Sequence, residues 1–300
     1  MSSKRERNDR KKAEKPSFKG RSDKPRERGR SPGPAASPLS DSRERPARAG
    51  ERSRADGDNF VWGRHPVLAA LANPARKGMG RLMATADRAE ELERDRLTHG
   101  HRIEIVDGPA LTRMLPPGAV HQGLVFKVQP LEGVALEDVA EPAPNPGEGG
   151  VIVMLDQLTD PQNVGAIFRS ALAFGAKGIV VQDRHSPALA GALAKASAGA
   201  TERLACVRVT NLSRALERLA DLGWRAVGLD GSAEQTLEQA LDDRPTVLVM
   251  GSEGDGIRRL VAEHCDALAR IPMPGGFESL NVSNAAAISL YECARAQRRG

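Results

Sequence analysis

Three short stretches of this chain bring together residue types that do chemistry. "DPQNVGAIFRS" (160–170) puts Asn163 and Arg169 on one predicted helix. Asn163 can cap that helix, and Gly165 lets another backbone come close. Arg169 stands among Ala, Ile, Leu and Phe, where a guanidinium needs a partner. Two partners fit, an internal carboxylate or an anionic substrate such as a phosphodiester. "MGSEGDGIRR" (250–259) has glycines at 251, 254 and 256, as a phosphate cradle would, but Glu253 and Asp255 would repel phosphate. It is not GxGxxG, which argues against a nicotinamide site. Such an acidic loop suits a ligand with positive charge or hydroxyls, or is a tight turn with capping acids. "GGFESLNVSNAAAISLYE" (275–292) crowds Ser279, Asn281, Ser283 and Asn284 onto one helix entrance, beside N–H groups left free by the helix start. One cap is enough for a helix, so the surplus is either redundant capping or a ligand site.

These loops need a frame. "VIVMLD" (151–156) is a continuous apolar run, the mark of a strand buried on both faces. Further strands are predicted at 177–182, 204–209, 225–230, 245–251 and 267–273. Helices are predicted between them at 164–175, 188–200, 212–223, 236–243 and 257–265, with a last one at the C-terminus. This alternation predicts an α/β fold with a mostly parallel, doubly wound sheet, whose ligands bind beyond the carboxyl ends of the strands. Residues 58–130 read as a smaller α/β unit, with a charged amphipathic helix at 87–100. Residues 131–150, rich in Pro, Gly and Glu, read as a linker with at most one short helix.

Composition bounds the function. Of 44 basic and 39 acidic residues, 18 and 9 lie before residue 58, a net of +9 there and −4 in the rest. That 1–57 segment has almost no large apolar residue, so disorder is expected. It is either a basic arm for RNA phosphates or a solubilising extension. Cys206, Cys265 and Cys293 are few and scattered, which suggests neither a disulfide framework nor a metal site. Neither a membrane span nor a signal peptide is suggested.

"NVGAIFR", "VMGSEGDGI" and "IPMPGGFESLNVSNAAAISLYE", in that order, resemble the three motifs of the SpoU (TrmH) family. The resemblance implies a trefoil-knotted (SPOUT) α/β fold and S-adenosylmethionine-dependent methylation of RNA ribose 2'-hydroxyls, without a metal. "WGRHPVLAAL", "GAVHQGLVFKV" and "DRHSPALAGALAKASAGATERLACVRVTNLSRAL" resemble the subgroup that methylates a 23S rRNA guanosine in the peptidyl-transferase region. Its N-terminal module is L30e-like and binds the RNA substrate. By resemblance Asn163, Arg169, Glu253, Ser279 and Asn281 are the catalytic set. Met250, Gly251, Ile271, Pro272, Met273 and Leu280 are the cofactor-binding set. A cytoplasmic homodimer with active sites near the subunit interface is also implied, with 23S rRNA as partner. Asn284 departs from the small apolar residue usual in the family, and can add a hydrogen bond or a cap. Two other functions fit less well, a tRNA-specific relative and a non-catalytic rRNA-binding assembly factor. Arg64, His65, His121 and Gln122 are either rRNA contacts or structural, and Phe60, Trp62 and Phe126 either stack on bases or fill the core.

Overall fold

The computed structural model describes residues 59–76, 80–129, 131, 133–141, 150–275 and 280–297. The basic segment 1–57 and Ser279 lie outside them.

Two sheets form. The smaller contains β1 (Phe60–Trp62), β2 (Arg81–Ala84), β3 (Ile103–Ile105) and β4 (Leu124–Lys127), in the order β1-β4-β2-β3. It carries α1 (Arg64–Ala72), α2 (Ala86–Arg94) and α3 (Gly108–Arg113). The predicted helix 87–100 stops at Arg94 because Arg96, His99 and Gly100 all adopt positive φ.

The larger sheet contains β5 (Val151–Leu155), β6 (Gly178–Gln182), β7 (Ala205–Val209), β8 (Arg225–Leu229), β9 (Thr246–Met250) and β10 (Ala267–Ala269). Their order is β10-β8-β9-β5-β6-β7, and every pairing is parallel. β5 and β9 are buried along their whole length, as their apolar runs 151–155 and 247–250 require. Side chains alternate between faces. Val151, Val153 and Leu155 join one core cluster with α5 (Pro161–Ala173), α6 (Gly191–Ala196), α8 (Leu237–Ala240) and α10 (Val282–Ala296). Ile152 and Met154 join the other, with α4 (Leu136–Val139), α7 (Leu212–Asp221) and α9 (Arg259–Ala262). Among the described residues of the expected linker, α4 is the one short helix, and Trp224 Nε1 donates to Ala140 O at 3.1 Å to hold its end.

Three further predicted helices are much shorter than their patterns, the one at 236–243 spanning only Leu237–Ala240. The 188–200 helix ends at Ala196, because Ala198 and Gly199 turn left-handed where a Cβ on Gly199 would meet Ala69 at 2.5 Å. The 257–265 helix starts only at Arg259, because Arg258 is held extended by Asp156. From edge strand β10 the chain returns to α10, which packs on α5, β5 and β9. The knot implied by resemblance would close on this path, part of which (276–279) lies outside the described residues.

Candidate active site

The three loops meet, although they lie 28 to 118 residues apart in sequence. Helix α5 is capped by Asp160, whose carboxylate accepts from Gln162 N at 3.1 Å and Asn163 N at 3.3 Å. Pro161 supplies a ready helical φ at the first position. The cap expected of Asn163 is therefore made by Asp160, and the Asn163 side chain faces the other loops. Its Nδ2 donates to Glu253 Oε1 at 3.1 Å.

Asn281 caps α10. Its Oδ1 accepts from Ser283 N at 3.0 Å, Asn284 N at 3.4 Å and Ser283 Oγ at 2.5 Å. Its Nδ2 donates to Asn163 Oδ1 and to Glu253 Oε1, each at 2.9 Å. Val282 N also donates to Glu253 Oε1, at 3.4 Å. One carboxylate oxygen thus gathers all three segments. The crowded helix entrance is explained in part by capping and in part by this cross-link. Asn284 is exposed and contributes its backbone N–H to the cap.

Glu253 also lines a cavity of about 360 Å³ beyond the ends of β8, β9 and β10. Of the residues assigned to the cofactor by resemblance, Met250, Gly251, Ile271, Met273 and Leu280 line it, and Pro272 is exposed and is not part of the lining. The sequence reading missed Asp230, Ile257, Arg270 and Val282, which line it too. Gly251 is obligatory, because a Cβ there would lie 1.9 Å from the Gly256 carbonyl carbon. The loop doubles back at this point, with Ser252 and Gly256 exchanging backbone hydrogen bonds at 3.1 Å each. Arg270 Nη1 pins the facing loop through Ala233 O at 2.5 Å and Glu234 O at 2.6 Å. With Asp230, Glu253 and Asp255 against Arg270, the lining is net acidic.

A further ion pair supports the site. Asp156, fully buried at the end of β5, accepts from Arg258 N at 2.9 Å and Nε at 2.8 Å, with Nη2 2.7 Å away. A carboxylate after five apolar residues signals that a partner is needed, but not which. Arg169 is exposed on α5 and pairs with no carboxylate among the described residues, so the internal salt bridge considered for it is not formed.

In the small sheet, Phe60, Trp62 and Phe126 are core residues. His121 is used internally, with Nδ1 accepting from Gly123 N at 3.0 Å and Nε2 3.1 Å from Thr112 Oγ1. Gln122 Oε1 accepts from Arg64 N at 3.0 Å and from Lys195 Nζ at 3.2 Å, linking the two sheets' units. Among the described residues no cluster of His, Cys, Asp and Glu is placed to hold a metal, and no helix is long and apolar enough to cross a membrane.

Comparisons with known proteins agree with this arrangement. The SpoU rRNA methylase family pattern matches residues 150–291, and an RNA 2'-O ribose methyltransferase substrate-binding pattern matches 60–134. A protein of Mycolicibacterium smegmatis, described as an uncharacterized tRNA/rRNA methyltransferase, is 41% identical over 254 residues, 84% of this chain and 80% of its own. A relative in Synechocystis with the same description is 37% identical over 79% of this chain and 62% of its own length. The crystal structure of the SpoU methyltransferase AviRb from Streptomyces viridochromogenes, in complex with the cofactor AdoMet, superposes with a TM-score of 0.66. It is 28% identical, covering 85% of this chain and 95% of that one. An AdoMet-bound rRNA methyltransferase from Sinorhizobium meliloti gives 0.64 at 25% identity, covering 79% and 86%. With its motif loops joined at one carboxylate and relatives matched over most of their length, this chain belongs to the SpoU rRNA methylase family.

Proposed function

We infer that the chain transfers the methyl group of S-adenosylmethionine to the ribose 2'-hydroxyl of a guanosine in 23S rRNA, as a cytoplasmic homodimer. Family membership makes it a methyltransferase acting on RNA with this methyl donor. The observation that carries the site assignment is the convergence of Asn163, Asn281 and Val282 N on Glu253, at the wall of the cavity.

The cavity fits the donor. Met250, Ile271 and Leu280 offer apolar walls to an adenine ring. Gly251 leaves room for backbone contact where a Cβ would collide. Asp230, Glu253 and Asp255 suit hydroxyls and positive charge. When bound, S-adenosylmethionine supplies a methyl group already activated by its positive sulfur.

The chain's own residues orient and stabilise. The described donors to Glu253 all go to Oε1, which leaves Oε2 for a ligand hydroxyl or cation. Arg169 presents a planar guanidinium fork that matches phosphate oxygens. Its role is to hold the phosphodiester beside the target and the developing oxyanion, not to take the proton. Alignment of the ribose hydroxyl supplies much of the rate. Ser279, by resemblance, completes the same entrance.

The motif resemblance favours 23S rRNA over tRNA, and the 60–134 match adds an RNA substrate-binding pattern without choosing between them. A second copy of the chain suits the α5–α10 face that bears Arg169. Ile288 and Tyr291 are exposed there, and Tyr291 packs on Phe174 with ring centroids 6.0 Å apart. The test is Arg169→Ala. S-adenosylmethionine affinity is expected to stay unchanged while methyl transfer falls about 100-fold or more. Full transfer by this variant would remove the role given to Arg169.

A further inference from the structure

The carboxyl edge of the large sheet carries a second cavity. The first sits at the ends of β8, β9 and β10; the second, about 640 Å³, opens beyond β6 and β7, between α7 and α9. Adjacent strands are ~4.8 Å apart. The two cavities are therefore separated by about three strand spacings, or ~15 Å, with β5 and the Asp156–Arg258 pair between them.

Its lining combines three features. The rim is cationic. Arg214 is exposed and pairs with no carboxylate among the described residues. The Arg259 side chain is 79% exposed and meets Glu263 at 2.5 Å through one nitrogen, which leaves its other donors to solvent. Arg258 closes the wall toward Asp156, and the one acid in the lining, Glu217, is engaged by His264 at 3.0 Å. The side is apolar, with Leu260 57% exposed at the start of α9. The third feature is an unmet acceptor. Gln182 Oε1 is shut off from solvent and meets no donor among the described residues. A buried amide oxygen without a donor is unfavourable, and rotation of the side chain toward the cleft would let a ligand N–H relieve it. Ser213 Oγ donates to Leu260 O at 3.2 Å, fixing the two helices across the cleft.

We propose that this cleft is a nucleotide subsite for the RNA substrate. It holds a phosphorylated nucleotide that flanks the methylation target, with the phosphate on Arg214 and Arg259 and a base N–H on Gln182 Oε1. Cations for phosphate, an apolar shelf for a base and an acceptor for a base edge are what a single-stranded RNA unit requires. The proposal rests on the RNA-methyltransferase reading above, since a strand whose target ribose lies at Glu253 runs along the strand ends into this cleft.

The full-length chain carrying both Arg214→Glu and Arg259→Glu tests it. The KM for RNA is expected to rise about tenfold, and the log–log salt slope of RNA binding to become shallower by about 1.4, two single-strand phosphate contacts. kcat at saturating RNA and S-adenosylmethionine affinity are expected to be unchanged. Should the charge reversal unfold the chain, Arg214→Gln alone is expected to raise KM about threefold. Unchanged KM and salt slope in a folded, active variant would overturn the subsite and leave the enzyme reading intact. Absence of transfer by the wild-type chain to any RNA, with S-adenosylmethionine bound, would overturn the enclosing reading and the subsite with it. Guanosine monophosphate binding that the double variant loses, but that RNA does not displace, would make the cleft a site for free nucleotide and overturn the RNA assignment.

Discussion

Asn281 closes a helix and holds a carboxylate with one amide, its oxygen turned to α10 and its nitrogen to Asn163 and Glu253. Losing an Asn cap costs about 0.5–2 kcal/mol in an ordinary helix; here it also releases Glu253. The cysteines play the opposite part and stay out of chemistry. Burial pushes the Cys206 thiol up to about 11, and Cys265 and Cys293 up to about 12, with Asp266 and Asp156 adding to the effect at Cys265. The thiolate is the reactive form. A thiol with a raised value in the folded chain stabilises it fully below the ordinary value of about 8.5, and that stability is lost as pH rises through the folded value. Iodoacetamide is expected to leave all three unlabelled at about pH 8 until urea unfolds the chain, and the melting temperature to fall above about pH 9. Rapid labelling of the native protein would contradict this. Asn163, Glu253 and Asn281 stand out as polar residues near the ends of apolar strands, but their grouping into one site came from the family resemblance. The Asp156–Arg258 pair is not legible, since the buried-run carboxylate signals only that it needs a partner and Arg258 lies 102 residues away.

Helices α5 and α6 approach closely because Gly165 has no side chain. A Cβ there would meet Ala196 Cβ at 2.6 Å, Leu193 O at 2.7 Å and Ser197 N at 3.0 Å. Backbone atoms on both sides cannot yield without moving α6. Gly165→Val is therefore expected to lower stability by about 1–3 kcal/mol, read as an earlier urea midpoint. An unchanged midpoint would mean the helices separate freely. At this scale the strands were easier to read than the helices. β5 shows its burial in unbroken Val, Ile, Met and Leu, and β9 in Val, Leu and Met after Thr246. The ends of α6 and α9 are set by distant partners, Ala69 and Asp156, which no local pattern contains.

Across the whole molecule, the two sheets are tied by more than their connection. Arg76 and Glu202 form a buried pair, Nε to Oε2 at 2.8 Å and Nη2 to Oε1 at 3.0 Å. Arg76 Nη1 also donates to Gln129 O at 2.7 Å, and Asn73 Nδ2 to Glu202 Oε2 at 2.9 Å. Ala190 and Ala194 of the large unit sit in the apolar core of the small one. The substrate-binding unit is thereby held at one orientation to the methylase sheet. Removing one member of a buried pair strands the other charge, so Arg76→Leu is expected to cost about 3–5 kcal/mol. Arg76→Leu with Glu202→Leu is expected to recover much of it. Equal losses in the single and double variants, by urea unfolding, would contradict this. The partners are 126 residues apart, so the sequence suggested a small α/β unit and a linker but not the clamp between the sheets.

The proposed reaction is methyl transfer to a guanosine ribose of 23S rRNA. It is tested most directly by incubating the full-length chain with labelled S-adenosylmethionine and unmodified 23S rRNA or bulk tRNA, then identifying the labelled nucleoside. Label is expected in 2'-O-methylguanosine from 23S rRNA. Label confined to tRNA, or to any other nucleoside, would contradict it.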